Sequence, residues 1–140
     1  MRDDRCLELS RQLCFTLYAA SREVTRKYKP FLDELDLTYT QYIVMLVLWE
    51  EGAVTMQELG KRLYLDSGTL TPLLVKLENK GLVERKRNEK DVREMIVSVT
   101  DKGTGLKVRA REIPQKIGKC LNISVREAVQ LKRILGKILG

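Results

Sequence analysis

A capped helix-turn-helix, two branched β-prone runs around a charged loop, and long amphipathic stretches on either side predict a mainly α fold with a small β wing. The expected architecture is a winged helix-turn-helix over about residues 38–100. It is flanked by N- and C-terminal dimerisation helices over about 5–37 and 101–140, the whole forming one domain, 1–140. A chain of 140 residues is long enough to bury a core of its own.

The organising stretch is Asp66 to Gly81. Asp66 can cap a helix whose first turn, Ser67, Gly68 and Thr69, is small and polar. Leu70, Leu73, Leu74 and Leu77 then recur at i, i+3, i+4, i+7, an apolar stripe of helical period. Ser67, Thr71, Lys76 and Asn79 fall on the other face, and Gly81 stands where a left-handed residue ends a helix. Upstream, Thr55 to Glu58 reads as a capping box opening a short helix with Met56, Leu59 and Leu63 inward, joined to the next through Tyr64, Leu65 and Asp66. Downstream, Leu82–Lys86 and Met95–Thr100 are strand candidates. The polar loop Arg87–Arg93 between them is too long for a two-residue hairpin turn.

The flanks follow the same logic. Residues 7–35 carry Leu7, Cys14, Leu17, Tyr18, Val24, Tyr28, Phe31, Leu32 and Leu35 at steps of three to four, so a long helix is expected, with a kink at Pro30. Thr38 to Gln41 is a second capping box, starting an apolar helix from Tyr42 to Trp49 that Glu50, Glu51 and Gly52 end; this helix should be the buried centre. Asp101 to about Lys119 predicts another long helix that Pro114 bends or breaks. Ser124 to Glu127 caps the last one, striped by Val125, Ala128, Leu131, Ile134, Leu135, Ile138 and Leu139. One small domain has little core left to cover these terminal stripes, which points to a homodimer.

Composition narrows the function. The formal net charge of +7 fits a polyanionic partner and is also compatible with an ordinary soluble surface. Three cysteines with no CxxC, and no histidine, leave no expected metal site, cofactor or disulfide framework. No run of eighteen apolar residues spans a membrane, and the charged start Met1-Arg-Asp-Asp-Arg5 does not read as a signal peptide, so the cytoplasm is the expected compartment.

Double-stranded DNA is the partner that the central stretch fits. Ser67, Gly68, Thr69 and Thr71 offer short hydroxyls and backbone N–H groups to a major groove, with Pro72 and Lys76 beside them, the lysine for phosphate. Residues 85–94 hold five basic side chains, Arg85, Lys86, Arg87, Lys90 and Arg93, against three acidic ones. Asp91 is expected to hold one arginine and leave Arg93 free for the minor groove. Lys102, Lys107, Arg109, Arg111, Lys116 and Lys119 read as solubility and dimer-rim charges.

These residues, with Lys80-Gly-Leu-Val-Glu-Arg85, Asp91-Val-Arg93 and the Val99-Thr-Asp-Lys-Gly103 exit, resemble the MarR family of dimeric winged-helix repressors over nearly the whole chain. Leu13-Cys-Phe-Thr-Leu-Tyr-Ala-Ala-Ser-Arg22, Tyr28-Lys-Pro30 and Leu37-Thr-Tyr-Thr-Gln-Tyr42 are similar to its organic-hydroperoxide-sensing, OhrR-like branch. The resemblance implies that helix 67–79 enters the major groove of a pseudo-palindromic operator and that Arg93 reaches the minor groove. It also implies that Cys14 is the peroxide-reactive thiol, Tyr28 and Tyr39 its partners, with Tyr18 nearby, and that an organic hydroperoxide is the inducer.

Periodicity by itself reads Cys14 as a small core residue. Helical rise adds a constraint: Cys14 and Tyr28 share a face but lie roughly 21 Å apart in one helix, so they cannot touch within one chain unless the helix breaks, whereas two such helices packed antiparallel across a dimer axis would let them approach. Phenol hydroxyls donating to sulfur would favour the reactive thiolate. The sulfenic acid formed by peroxide is then resolved either by Cys120 or by a small cellular thiol as a mixed disulfide; Cys6 is incidental. A thiol peroxidase is disfavoured because no histidine and no arginine–threonine site can position peroxide for turnover, so no enzyme is expected. The alternative regulator is one released by a small phenolic or apolar ligand, with Cys14 structural.

Overall fold

The computed structural model describes residues 2–140; Met1, the first residue of the expected charged start, lies outside them. The chain forms two compact units, one of Tyr28–Arg111 and one of the residues up to Lys27 together with Glu112–Gly140.

The Tyr28–Arg111 unit opens on the end of helix α1 (Leu13–Asp33). Asp36, at φ 54°, takes the left-handed turn, with Leu37 N donating to Leu32 O at 3.1 Å. Helix α2 (Tyr39–Glu51) starts in the capping box expected at Thr38 and Gln41 and ends at Gly52, φ 79°. Val44, Met45 and Leu48 are fully buried, so α2 is the centre of this unit. Strand β1 (Ala53–Thr55) leads directly into α3 (Met56–Leu63). Thr55 Oγ1 caps α3 through Glu58 N, but Glu58 does not return the bond, so only half of that capping box forms.

Helix α4 (Ser67–Asn79) buries Leu70, Leu73, Leu74 and Leu77, the four leucines of the stripe. Each such side chain removed from water contributes about 1.5–3 kcal/mol. Its end is closed by two bonds, Gly81 N to Glu78 O and Leu82 N to Leu77 O, with Gly81 at φ 76°. Strands β2 (Val83–Arg87) and β3 (Met95–Val99) form the wing. The sheet order is β1-β3-β2, antiparallel, with Val97 facing Val54 on one side and Arg85 on the other. Sequence reading missed β1, which is three residues long and exists only through its pairing with β3.

Helix α5 (Asp101–Ala110) packs against α2 at Gly103. A Cβ there would lie 2.3 Å from Leu82 O, so only glycine permits the approach, and Gly103 O accepts from Trp49 Nε1 at 2.8 Å. This unit is larger than the 38–100 window because Leu32, Leu35, Leu37 and Ala110 are buried.

The second unit holds two 3₁₀ turns (Asp4–Leu7, Leu9–Arg11), the first part of α1, α6 (Ile113–Cys120) and α7 (Val125–Leu139). The helix expected from residue 7 begins only at Leu13. The Gln12 amide donates to Cys6 O at 2.7 Å and Glu8 O at 2.9 Å, which fixes the preceding residues in tighter turns. Pro30 does not end α1, which runs unbroken to Asp33. Pro114 acts as expected: the long helix is divided into α5 and α6 just before it. The Ser124–Glu127 capping box forms at the start of α7, yet α7 has no buried residue; Val125, Val129, Leu131, Ile134 and Ile138 are exposed.

Candidate nucleic-acid interface and thiol site

Ser67, Gly68, Thr69, Thr71, Pro72 and Lys76 are all exposed on α4, opposite its leucine stripe. Asp66 Oδ1 accepts from Thr69 N at 2.7 Å, and that bond holds the carboxyl below the usual carboxylate range. The Thr71 hydroxyl donates to Ser67 O at 2.8 Å, leaving its lone pairs to an outside donor. Tyr64 takes the left-handed conformation (φ 56°) between the two helices, and a Cβ on Gly60 would meet Leu65 O at 2.8 Å. Gly60 is therefore what lets α3 and α4 join so closely, a role invisible without the turn itself.

The wing loop shapes itself with its own polar groups. Asn88 N donates to Glu94 O at 2.9 Å, Asn88 Nδ2 to Glu94 Oε2 at 2.8 Å, and Lys90 N to Asn88 Oδ1 at 3.0 Å. The expectation that Asp91 holds an arginine side chain is corrected: Asp91 Oδ1 accepts the backbone N–H of Arg93 at 3.0 Å, while Arg87 is held by Val92 O at 2.8 Å. A carboxylate two residues from an N–H in a turn finds that donor before any flexible guanidinium. Among the described residues the Arg93 guanidinium has no partner, and Arg93 and Lys90 are exposed.

Arg85 behaves differently from the rest of the expected DNA set. Its Nε donates to Glu78 Oε1 at 2.7 Å with the side chain only 22% exposed, so it clamps β2 to α4. Lys86 is exposed and lies 3.7 Å from Glu84. Three cations assigned to the dimer rim also have internal roles. Lys102 donates to Lys80 O, Lys107 to Trp49 O and Arg109 to Glu34 O.

Of the residues expected at the thiol site, Cys14 is the second residue of α1 and is exposed. Tyr18 follows one turn later, 58% exposed, with the Arg22 guanidinium 5.5 Å above its ring. Cys120, the last residue of α6, and Cys6 are exposed free thiols as well. In the Tyr28–Arg111 unit, Tyr28 and Tyr39 meet with ring centroids 4.9 Å apart. Tyr42, which sequence reading took only for a core residue, lies 5.7 Å from Tyr28 and 6.3 Å from Tyr39, and Trp49 meets its edge at 6.4 Å. Burial raises all three tyrosines above their usual range, with Tyr39 adding to the shift of Tyr28; Tyr42 is pushed up to about 12. At neutral pH these are phenols and therefore O–H donors.

The chain matches the family model of the SarA/Rot transcriptional regulators over residues 26–109. It is 48% identical over 128 residues to the organic hydroperoxide resistance transcriptional regulator of Bacillus subtilis (strain 168), covering 91% of this chain and 85% of that one. Among solved structures, reduced AbfR bound to DNA superposes with a TM-score of 0.78 at 36% identity, covering 93% of this chain and 89% of that one. The reduced form of MarR from E. coli does so with a TM-score of 0.69 at 28% identity, covering 92% and 97%. With identity this high over most of both chains, the chain belongs to the MarR family of winged-helix transcriptional regulators, in its OhrR-like branch.

Proposed function

We propose that this chain is a homodimeric, cytoplasmic, DNA-binding repressor released from its operator when Cys14 is oxidised by an organic hydroperoxide. The observation that carries the reading is Cys14 itself: an exposed free thiol at the start of α1, in a chain 48% identical to an organic hydroperoxide resistance regulator. The DNA-binding part is 38–100, with α4 in the major groove and Arg93 in the minor groove; 5–37 and 101–140 serve dimerisation. The uncovered apolar face of α7, with Leu9, Leu13 and Phe15 at the other end of the chain, supports a second copy as partner. Among the described residues no helix is long and apolar enough to cross a membrane.

In this reading the tyrosines that serve Cys14 are those of the partner protomer. Tyr28 and Tyr39 hydroxyls donate hydrogen bonds to the sulfur. The thiolate attacks the terminal oxygen of R–O–OH. The S–O bond forms as the O–O bond breaks, sulfur is oxidised by two electrons, and the departing alkoxide takes a proton to become the alcohol. A second thiol, Cys120 of the partner or a small cellular thiol, then attacks the sulfenic sulfur; an S–S bond forms and water leaves. The loss of the phenol–thiolate bonds shifts the protomers, and a small rotation is enough to spoil a spacing of about 34 Å between recognition helices.

The test uses a duplex enriched from a random-sequence pool by the reduced protein. Cumene hydroperoxide near stoichiometric dose should abolish binding, and reductant should restore it. Release by a phenolic ligand, with hydroperoxide inert, would instead favour the ligand-responsive regulator.

A further inference from the structure

Among the described residues Gln41 is the one buried polar side chain, 3% exposed. Its Oε1 accepts two donors from separate parts of the fold: Thr38 N at 3.1 Å, closing the capping box of α2, and Lys80 Nζ at 3.0 Å. Lys80 is the C-cap of α4. Its ammonium also donates to the carbonyl of Asp36, the left-handed residue of the turn that follows α1, and lies 3.7 Å from the Asp36 carboxylate. One cation thus joins the turn after α1, the start of α2 and the end of α4.

The corner it grips is the tyrosine corner. Tyr39 sits between the two halves of the capping box, and its ring rests against Tyr28 on α1. In the other direction, the grip extends to the base of the wing. Lys80 O accepts from Lys102 Nζ at 2.7 Å, Gly81 O from Thr100 Oγ1 at 2.6 Å, and Arg85 ties β2 to Glu78. A buried amide oxygen that loses a donor is left undersatisfied, so the corner and the end of α4 cannot part without cost.

We propose that Lys80, acting through Gln41, is the positioning residue that couples the tyrosine corner to the recognition helix. It touches neither the thiol nor, in the assignment above, DNA; it makes the position of α4 depend on that of Tyr28 and Tyr39. The proposal rests on the redox reading above and adds the residue through which the signal passes.

The experiment compares DNA affinity of the reduced protein with that of its mixed disulfide, made with cumene hydroperoxide and glutathione, on the duplex enriched by the wild type. Lys80→Met keeps the stem and removes the ammonium. Its reduced-state affinity should stay near wild type, while the ratio of oxidised to reduced Kd should fall about tenfold, within the usual range of coupling between sites. Lys80→Arg should keep most of the ratio. A wild-type ratio in Lys80→Met, or an equal loss of affinity in both states, would overturn the coupling and leave the redox reading standing. A wild type that is not released on oxidation would end both. A second measurement needs no variant: hydrogen exchange in the wild-type mixed disulfide should rise together at 36–41 and 77–82, and a rise confined to 28–41 would also overturn the proposal.

Discussion

Two wing arginines that look alike in the sequence should separate in one experiment. Among the described residues the Arg93 guanidinium has no partner, and Arg93 projects from a loop whose shape is held by Asn88, Asp91 and Glu94. Removing it in Arg93→Ala should leave the melting temperature unchanged and remove one cation per protomer, two per dimer. If each neutralises a phosphate charge, the slope of log K against log salt should become less steep by about 1.8, from 0.9 for each contact. Between 50 and 200 mM salt that amounts to about a tenfold change in the ratio of wild-type to variant affinity, largest at low salt. Arg85 is already spent on Glu78 at 2.7 Å, so Arg85→Ala should lower the melting temperature and hardly change the slope. Fluorescence anisotropy at four salt concentrations reads both. An unchanged slope for Arg93→Ala, or equal changes for the two variants, would refute the assignment of Arg93 to the DNA and of Arg85 to the fold.

Other consequences follow from burial. Leu74 is fully buried between α4 and the rest of its unit, so Leu74→Ala should cost about 2–5 kcal/mol in chemical unfolding; a loss near zero would mean the stripe is not core. Tyr42 has its folded pKa raised from 10.0 to about 12 by burial and by its tyrosine neighbours. The stability this represents is fully present below pH 10 and is lost as pH rises toward 12. Tyr42→Phe should therefore flatten the alkaline decline seen by circular dichroism, and an identical decline in both proteins would contradict the burial of that phenol.

What could be read from the sequence is what neighbours in the chain decide. The Thr38–Gln41 and Ser124–Glu127 boxes, the Asp66 cap, the Gly81 turn and the leucine stripe of α4 depend on residues a few positions apart, and all of them form. Pro114 breaks its helix for an equally local reason. The features that escaped depend on distant partners. Ala53–Thr55 becomes a strand only opposite Ile96–Ser98, and Gly60 and Gly103 matter only because Leu65 O and Leu82 O approach them. At the candidate site, the exposed face of α4 and the exposure of Arg93 were legible from patterning, while Cys14, Tyr28 and Tyr39 were singled out by motif. Tyr42 is core as its place in the apolar helix suggested, but its ring packing against Tyr28 and Tyr39 has no signature in spacing. The same is true of Arg85 and Lys80, basic residues whose partners, Glu78 and Gln41, are set by the fold.

The most direct measurement is DNA binding by Cys14→Ser before and after organic hydroperoxide. Serine keeps a small side chain that can accept hydrogen bonds from Tyr28 and Tyr39, so the reduced-state affinity should stay near wild type. Serine oxygen cannot form a sulfenic acid, so hydroperoxide should no longer release the protein, while the wild type measured beside it lets go. A Cys14→Ser protein that still leaves its duplex on hydroperoxide treatment would contradict the assignment of sensing to Cys14.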